Sequence, residues 1–198
     1  MNRYLSPPPE PPRVERRRIP GGLEGAMTTA AHVGRLIRDG AGDFYVRQKN
    51  FQKALFYVNK ALHIDNENRF YWKRYATINK EMNFFEEAEF GYRKAVEYGD
   101  YQLDTWLFWV DILQFLGEFD SAIQTLLQAS EYFPEEYQVE YRLAGLYFML
   151  HDDTKGKFHI ANGLRLNFNN HTILEDLFPV IWSRKMVQNA INKYKDKQ

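Results

Sequence analysis

The chain contains no cysteine, which excludes disulfides, thiolate metal sites and cysteine nucleophiles. An excess of either charge is also missing. The 26 Lys and Arg balance 26 Asp and Glu, so the formal net charge is zero, and a globally basic nucleic-acid binder is excluded. No apolar run approaches the length of a membrane span, and the first 25 residues carry prolines and arginines without the apolar stretch of an export signal. The expectation is a soluble, cytoplasmic protein. Phosphate-binding and nucleophile-elbow patterns (GxxxxGK, GxGxxG, GxSxG) do not occur, and no two histidines stand four apart with a carboxylate partner. No enzyme, metal or cofactor is expected. Among the histidines His32, His63, His151, His159 and His171, only His151-Asp152-Asp153 groups metal-type ligands, and a solvated turn explains it. Glu86, Glu87 and Glu89 stand at a helix start, where negative charge complements the dipole.

What is present is a chain of 198 residues with 16% aromatics, enough to bury one sizeable core. Its two ends differ. Residues 1–48 hold eight Arg, no Lys and six of the twelve glycines, for a net charge of +3 from five acids; residues 49–198 hold six Arg, twelve Lys and 21 acids, for −3. Asn occurs once before position 49 and twelve times after it. Two readings fit: two genomic backgrounds joined near Gln48–Asn50, or one gene with a divergent head.

Residues 1–27 read as a disordered tail rich in Pro, Arg and Gly. Pro8, Pro11 and Arg13 match a PxxPxR ligand for proline-reading domains, and Arg16-Arg17-Arg18 form a basic run; a plain solvated tail accounts for both. Residues 28–48 place Val33, Leu36, Ile37 and Phe44 on a helical face interrupted by Gly34, Gly40 and Gly42. This stretch resembles the lead-in of phage-encoded transglutaminase-like proteins. Such enzymes use a cysteine nucleophile that this chain lacks.

The body repeats. Ala54, Ala88, Ala122 and Gly156 are spaced by 34 residues, as are Ala61, Ala95, Ala129 and Gly163. Phe51, Phe85, Phe119 and Asp153 precede the first set by three residues, and Gly42, Ala76, Val110 and Ala144 precede it by twelve. Small residues belong where two helices cross closely, and an aromatic fills the space beside the crossing. Phe51, Leu55, Val58 and Leu62 share one helical face, as do Ala122, Ile123, Leu126, Leu127 and Tyr132. Turns are expected between repeats at 65–68, 99–100, 133–134 and 167–170, and within them at Asn83, Gly117-Glu118 and Asp152-Asp153.

A 34-residue helix–turn–helix unit with these small, aromatic and turn positions resembles the tetratricopeptide repeat. The resemblance implies an all-α solenoid of about four repeats: 35–68, 69–102, 103–136 and 137–170, followed by a cap over 171–198. Trp72 and Trp106 occupy the family's aromatic position 4, and Pro134 its position 32. Repeat one carries Arg38 at position 4; repeat four carries Glu140 there and Asp153 at the later aromatic position, with Gly156 and Gly163 for alanine. The outer repeats are therefore expected to pack less well than the middle two. In the cap, Ile173, Leu174, Leu177 and Phe178 begin a helix that Pro179 interrupts. Ile181, Val187 and Ile191 continue the apolar pattern. The stretch 171–195 reads as a helix pair or one kinked helix, with Pro179 opening the last helix.

The resemblance also implies function: a non-enzymatic scaffold holding a partner peptide or helix in its concave groove. Repeat positions 2, 5, 9, 12 and 13 would face that groove: Phe70, Lys73, Thr77, Lys80 and Glu81; Asp104, Leu107, Asp111, Gln114 and Phe115; Gln138, Tyr141, Gly145, Phe148 and Met149. Tyr141, Phe115 and Lys73 are the expected contacts. The alternative for Phe115, Phe148 and Met149 is packing against a neighbouring helix or the cap. A different role, assembly through the convex face or the C-terminal helix, is the second reading. One groove type in this family grips acidic C-terminal tails with a Lys/Asn/Arg clamp. Here Asp39, Asp43, Arg74, Asp104 and Phe108 replace the clamp residues, so chaperone-tail binding is not expected.

Overall fold

The computed structural model describes residues 49–196. The readings for the tail, for 28–48 and for the first helix of repeat one fall outside these residues. The described chain forms α1 (Phe51–Ile64), α2 (Arg69–Glu81), α3 (Phe85–Glu97), α4 (Leu103–Phe115), α5 (Phe119–Tyr132), α6 (Tyr137–Met149) and α7 (Asp153–Leu166). A 3-10 turn at Phe168–Asn170 leads to α8 (Ile173–Leu177), α9 (Pro179–Trp182) and α10 (Lys185–Lys195). No strand occurs among the described residues. Consecutive helices pack antiparallel in pairs, α2 with α3, α4 with α5 and α6 with α7, and each pair stacks on the next.

The helix ends follow from local chemistry. Asn50, Asn68, Glu136 and Asp152 each accept a backbone N–H of the first turn, at 3.2, 3.1, 3.2 and 3.1 Å. At the C-termini of α2, α4 and α6 the chain reverses through a left-handed residue: Asn83 (φ 61°), Gly117 (φ 78°) and His151 (φ 60°). Lys49, at φ 55°, stands one period earlier. The amides of Phe84, Glu118 and Asp152 then reach back to the carbonyls of Asn79, Leu113 and Tyr147 at 2.9, 2.8 and 2.9 Å. This closure satisfies carbonyls that the helix leaves free. In repeat four the reversal falls on His151, one residue before the expected Asp152.

The small positions of the repeat are the helix crossings. Ala54, Ala76, Ala88, Ala95, Val110, Ala122, Ala129 and Ala144 are fully buried. One core runs from Ala76 to Ile191, and a smaller one joins Ala54, Val58 and Leu62 of α1 to Ile78 of α2. Tyr132 departs from its expected buried face: it is exposed and stacks on Tyr101 with centroids 4.8 Å apart.

Repeat four is not loosely packed, contrary to expectation. Every residue of α6 from Tyr141 to Phe148 is buried. Gly156 and Gly163 are the reason. A Cβ on Gly156 would stand 2.5 Å from the Phe148 ring, and one on Gly163 would stand 2.8 Å from the Tyr141 ring. Bulk has moved from the second helix to the first, and the glycines receive it. At the aromatic position, Glu140 instead accepts from Asn162 (3.2 Å) and pairs with His159 Nδ1 (2.9 Å), whose ring stacks on Tyr147.

The cap is three short helices, not a pair or a single kinked helix. Pro179 sits in the first turn of α9, where its missing N–H costs no hydrogen bond. The last helix begins six residues later, at Lys185. Leu174, Phe178, Ile181, Val187 and Ile191 bury the apolar end of the solenoid. Phe178 lies against Gly145, where a Cβ would stand 2.3 Å from the ring.

Candidate protein-interaction groove

The first helices α2, α4 and α6 carry the positions expected to face the groove. Side chains there divide into three groups. Leu107, Tyr141 and Phe148 are buried, and Gly145 lies beneath Phe178. Tyr141 in particular has no exposed surface, and its hydroxyl donates to the Asn167 carbonyl at 2.8 Å. Burial pushes its phenol well above the ordinary tyrosine value, and the nearby Tyr194 adds to the rise. The expected contact role of Tyr141 and Phe148 therefore gives way to one inside the repeat. Their rings fill the hollows at Gly163 and Gly156.

A second group links neighbouring repeats. The Lys73 ammonium binds Asp104 at 2.9 Å and Gln102 at 3.2 Å, and lies 3.9 Å from Asp100, which is 98% buried. Arg142, itself buried, pairs with Asp111 at 3.3 Å. Both pairs join residues 31 apart, one repeat less three residues, so each bridges one first helix to the next or to its lead-in. Lys73 was expected to meet a partner, but its charge is committed to neutralising Asp100 and Asp104. Sequence spacing gave no sign of this, because the acids lie across a helix boundary. Thr77 likewise turns inward, donating to the Lys73 carbonyl at 2.9 Å and lying 3.4 Å from the Tyr92 hydroxyl.

The third group remains open. Phe70 is exposed and Gln138 is half-buried; Asp104 is exposed too, but its carboxylate is already paired with Lys73. Phe115 is 66% exposed, its ring set against that of Phe85 with centroids 3.9 Å apart. The Lys80 ammonium rests 4.6 Å above the Phe108 ring and has no ion-pair partner among the described residues. Gln114 and Met149 reach a cavity of about 350 Å³ at the C-terminal end of this surface, where α8 and α9 close it.

No group of three or more His, Asp or Glu fit to hold a metal occurs among the described residues. Asp152, part of the weak candidate at 151–153, caps α7 instead. Its carboxyl is held below the usual range by the Lys155 amide. No helix of the described residues is long and apolar enough to cross a membrane.

No family model matches the chain, and no curated protein matches it in sequence. Solved structures do match. MamA from Desulfovibrio magneticus RS-1 superposes with a TM-score of 0.66 at 13% identity, over 83% of this chain and 92% of that one. YrrB, described as a TPR protein with an unusual peptide-binding site, superposes with a TM-score of 0.62 at 14% identity, over 85% of this chain and 91% of that one. PilF of Pseudomonas aeruginosa gives 0.61 at 20% identity, over 87% and 76%. The chain has the fold of a tetratricopeptide-repeat solenoid, all-α and built from repeated helix pairs.

Proposed function

We propose that the chain is a non-enzymatic interaction scaffold that holds an extended peptide of a partner protein along its concave surface. One observation carries the reading. The strip that remains after internal packing includes Phe115, two-thirds exposed, and Lys80, whose ammonium lies over the Phe108 ring and makes no ion pair among the described residues. Apolar anchors beside an uncommitted charge suit a peptide ligand. The likeness to YrrB, itself described as having a peptide-binding site, supports the reading at the level of fold.

A random-peptide display selection on the full chain tests it. Selected peptides are expected to bind the Phe115→Ala and Lys80→Glu variants about tenfold more weakly by fluorescence anisotropy. Melting of the variants should stay close to that of the parent. Equal affinity for parent and variants would move the binding surface elsewhere, to the convex face or α10.

A further inference from the structure

The cap closes on α4 and α6 around a cavity of about 350 Å³, in the lower range of ligand pockets, roughly 300–1,000 Å³. Its walls are mostly apolar, with Met149 from α6 and Leu177, Phe178, Val180 and Ile181 from the cap. Val180 is 74% exposed, so the cavity meets solvent beside it.

Arg184 is the one charged residue among those that line it. Its Nη1 donates to the Phe148 carbonyl at 2.9 Å. That bond uses one N–H of the guanidinium fork and holds the group at the cavity wall. Among the described residues no carboxylate pairs with it. Arg142, on the neighbouring helix α6, is by contrast neutralised by Asp111 at 3.3 Å. An apolar hollow with a single fixed cation selects its occupant by exclusion. A polar ligand would lose its water against the apolar walls, and a second cation would be repelled. A neutral apolar ligand would leave the guanidinium without a counter-charge. An apolar chain ending in one carboxylate satisfies both features, since the planar fork matches a carboxylate.

We propose that this cavity binds a small amphiphilic carboxylate of the fatty-acid type, with its chain between Met149 and the cap and its carboxylate on Arg184. The site is separate from the groove reading above and does not depend on it. Because its walls come from both α6 and the cap, an occupant would join the two.

Calorimetric titration of the full chain with octanoate, and with octanamide as its neutral isostere, tests the proposal. Octanoate is expected to bind one site, about fivefold more tightly than octanamide. In Arg184→Met that preference should vanish, while octanamide binding stays as in the parent. Val180→Trp, which narrows the opening from an exposed position, should weaken both ligands about tenfold. Melting curves establish that both variants fold. From butanoate to octanoate each added methylene should tighten binding about fourfold. The gain should level off between octanoate and tetradecanoate, once the cavity is full. Absence of octanoate binding, equal affinity for the amide, or a preference that survives Arg184→Met overturns the site. So does a gain that continues unchanged through tetradecanoate, which marks an unbounded apolar surface. None of these failures touches the groove reading, which the Phe115→Ala and Lys80→Glu variants score with peptides.

Discussion

The Tyr141 ring of α6 covers Gly163 of α7, with ring carbons 2.8 Å from where a Cβ would stand. Twenty-two residues apart in sequence, the two form one joint: the large residue on the first helix exists because the second helix presents no side chain.

This joint gives a stability prediction of unusual sign. Gly→Ala inside a helix ordinarily stabilises by about 0.5–1 kcal/mol. Gly163→Ala is expected to destabilise by about 1–3 kcal/mol, because the new methyl displaces a ring in a filled core. Tyr141→Leu removes the obstructing ring carbons. The double variant should therefore lose less than the sum of the two single losses in urea denaturation.

Lys73 is predicted to act on stability. Its ammonium lies against a buried carboxylate, Asp100, and an exposed one, Asp104. Lys73→Ala should cost about 1–2 kcal/mol, a buried-pair cost reduced by the partial exposure of the lysine. Asp104→Ala should cost less than about 1 kcal/mol, since more than half of that side chain is in water. Chemical denaturation of the two variants checks the order; equal losses would remove Asp100 from the account.

The phenol of Tyr141 predicts an alkaline weakness. Its folded pKa is raised by burial, so the folded state holds the proton more tightly than the unfolded chain. Stability is full below the ordinary tyrosine value, about 10, and falls as pH rises above it toward the raised value. Tyr92 is shifted in the same direction, first by burial. Tyr141→Phe should be less stable at neutral pH by about 1 kcal/mol, having lost the bond to Asn167. Between pH 9 and 11 its melting temperature should decline less steeply than that of the parent.

The repeat was legible because its physics is periodic. A close helix crossing demands a small residue at a fixed interval, and Ala54, Ala88 and Ala122 record that demand directly. Two of the left-handed reversals were visible as Asn83 and Gly117, residues that favour positive φ. The reversal at His151 was not, since histidine carries no comparable preference and only the 34-residue register locates it. In the groove, spacing identified a face but not who occupies it. Lys80, Gln114 and Phe115 remain open there, whereas Lys73, Tyr141 and Phe148 are taken by partners on other helices.

The sequence by itself determined the helix–turn–helix period, the crossing positions and the absence of cysteine chemistry, because each depends on residue type at local spacing. Only the tertiary structure decided that repeat four exchanges bulk between its helices, that Lys73 neutralises Asp100, and that the cap encloses a cavity against Gln114 and Met149. These features depend on side chains from separate helices meeting. Such meetings are fixed by the stacking of repeats and the fold of the cap, and local spacing carries no record of them.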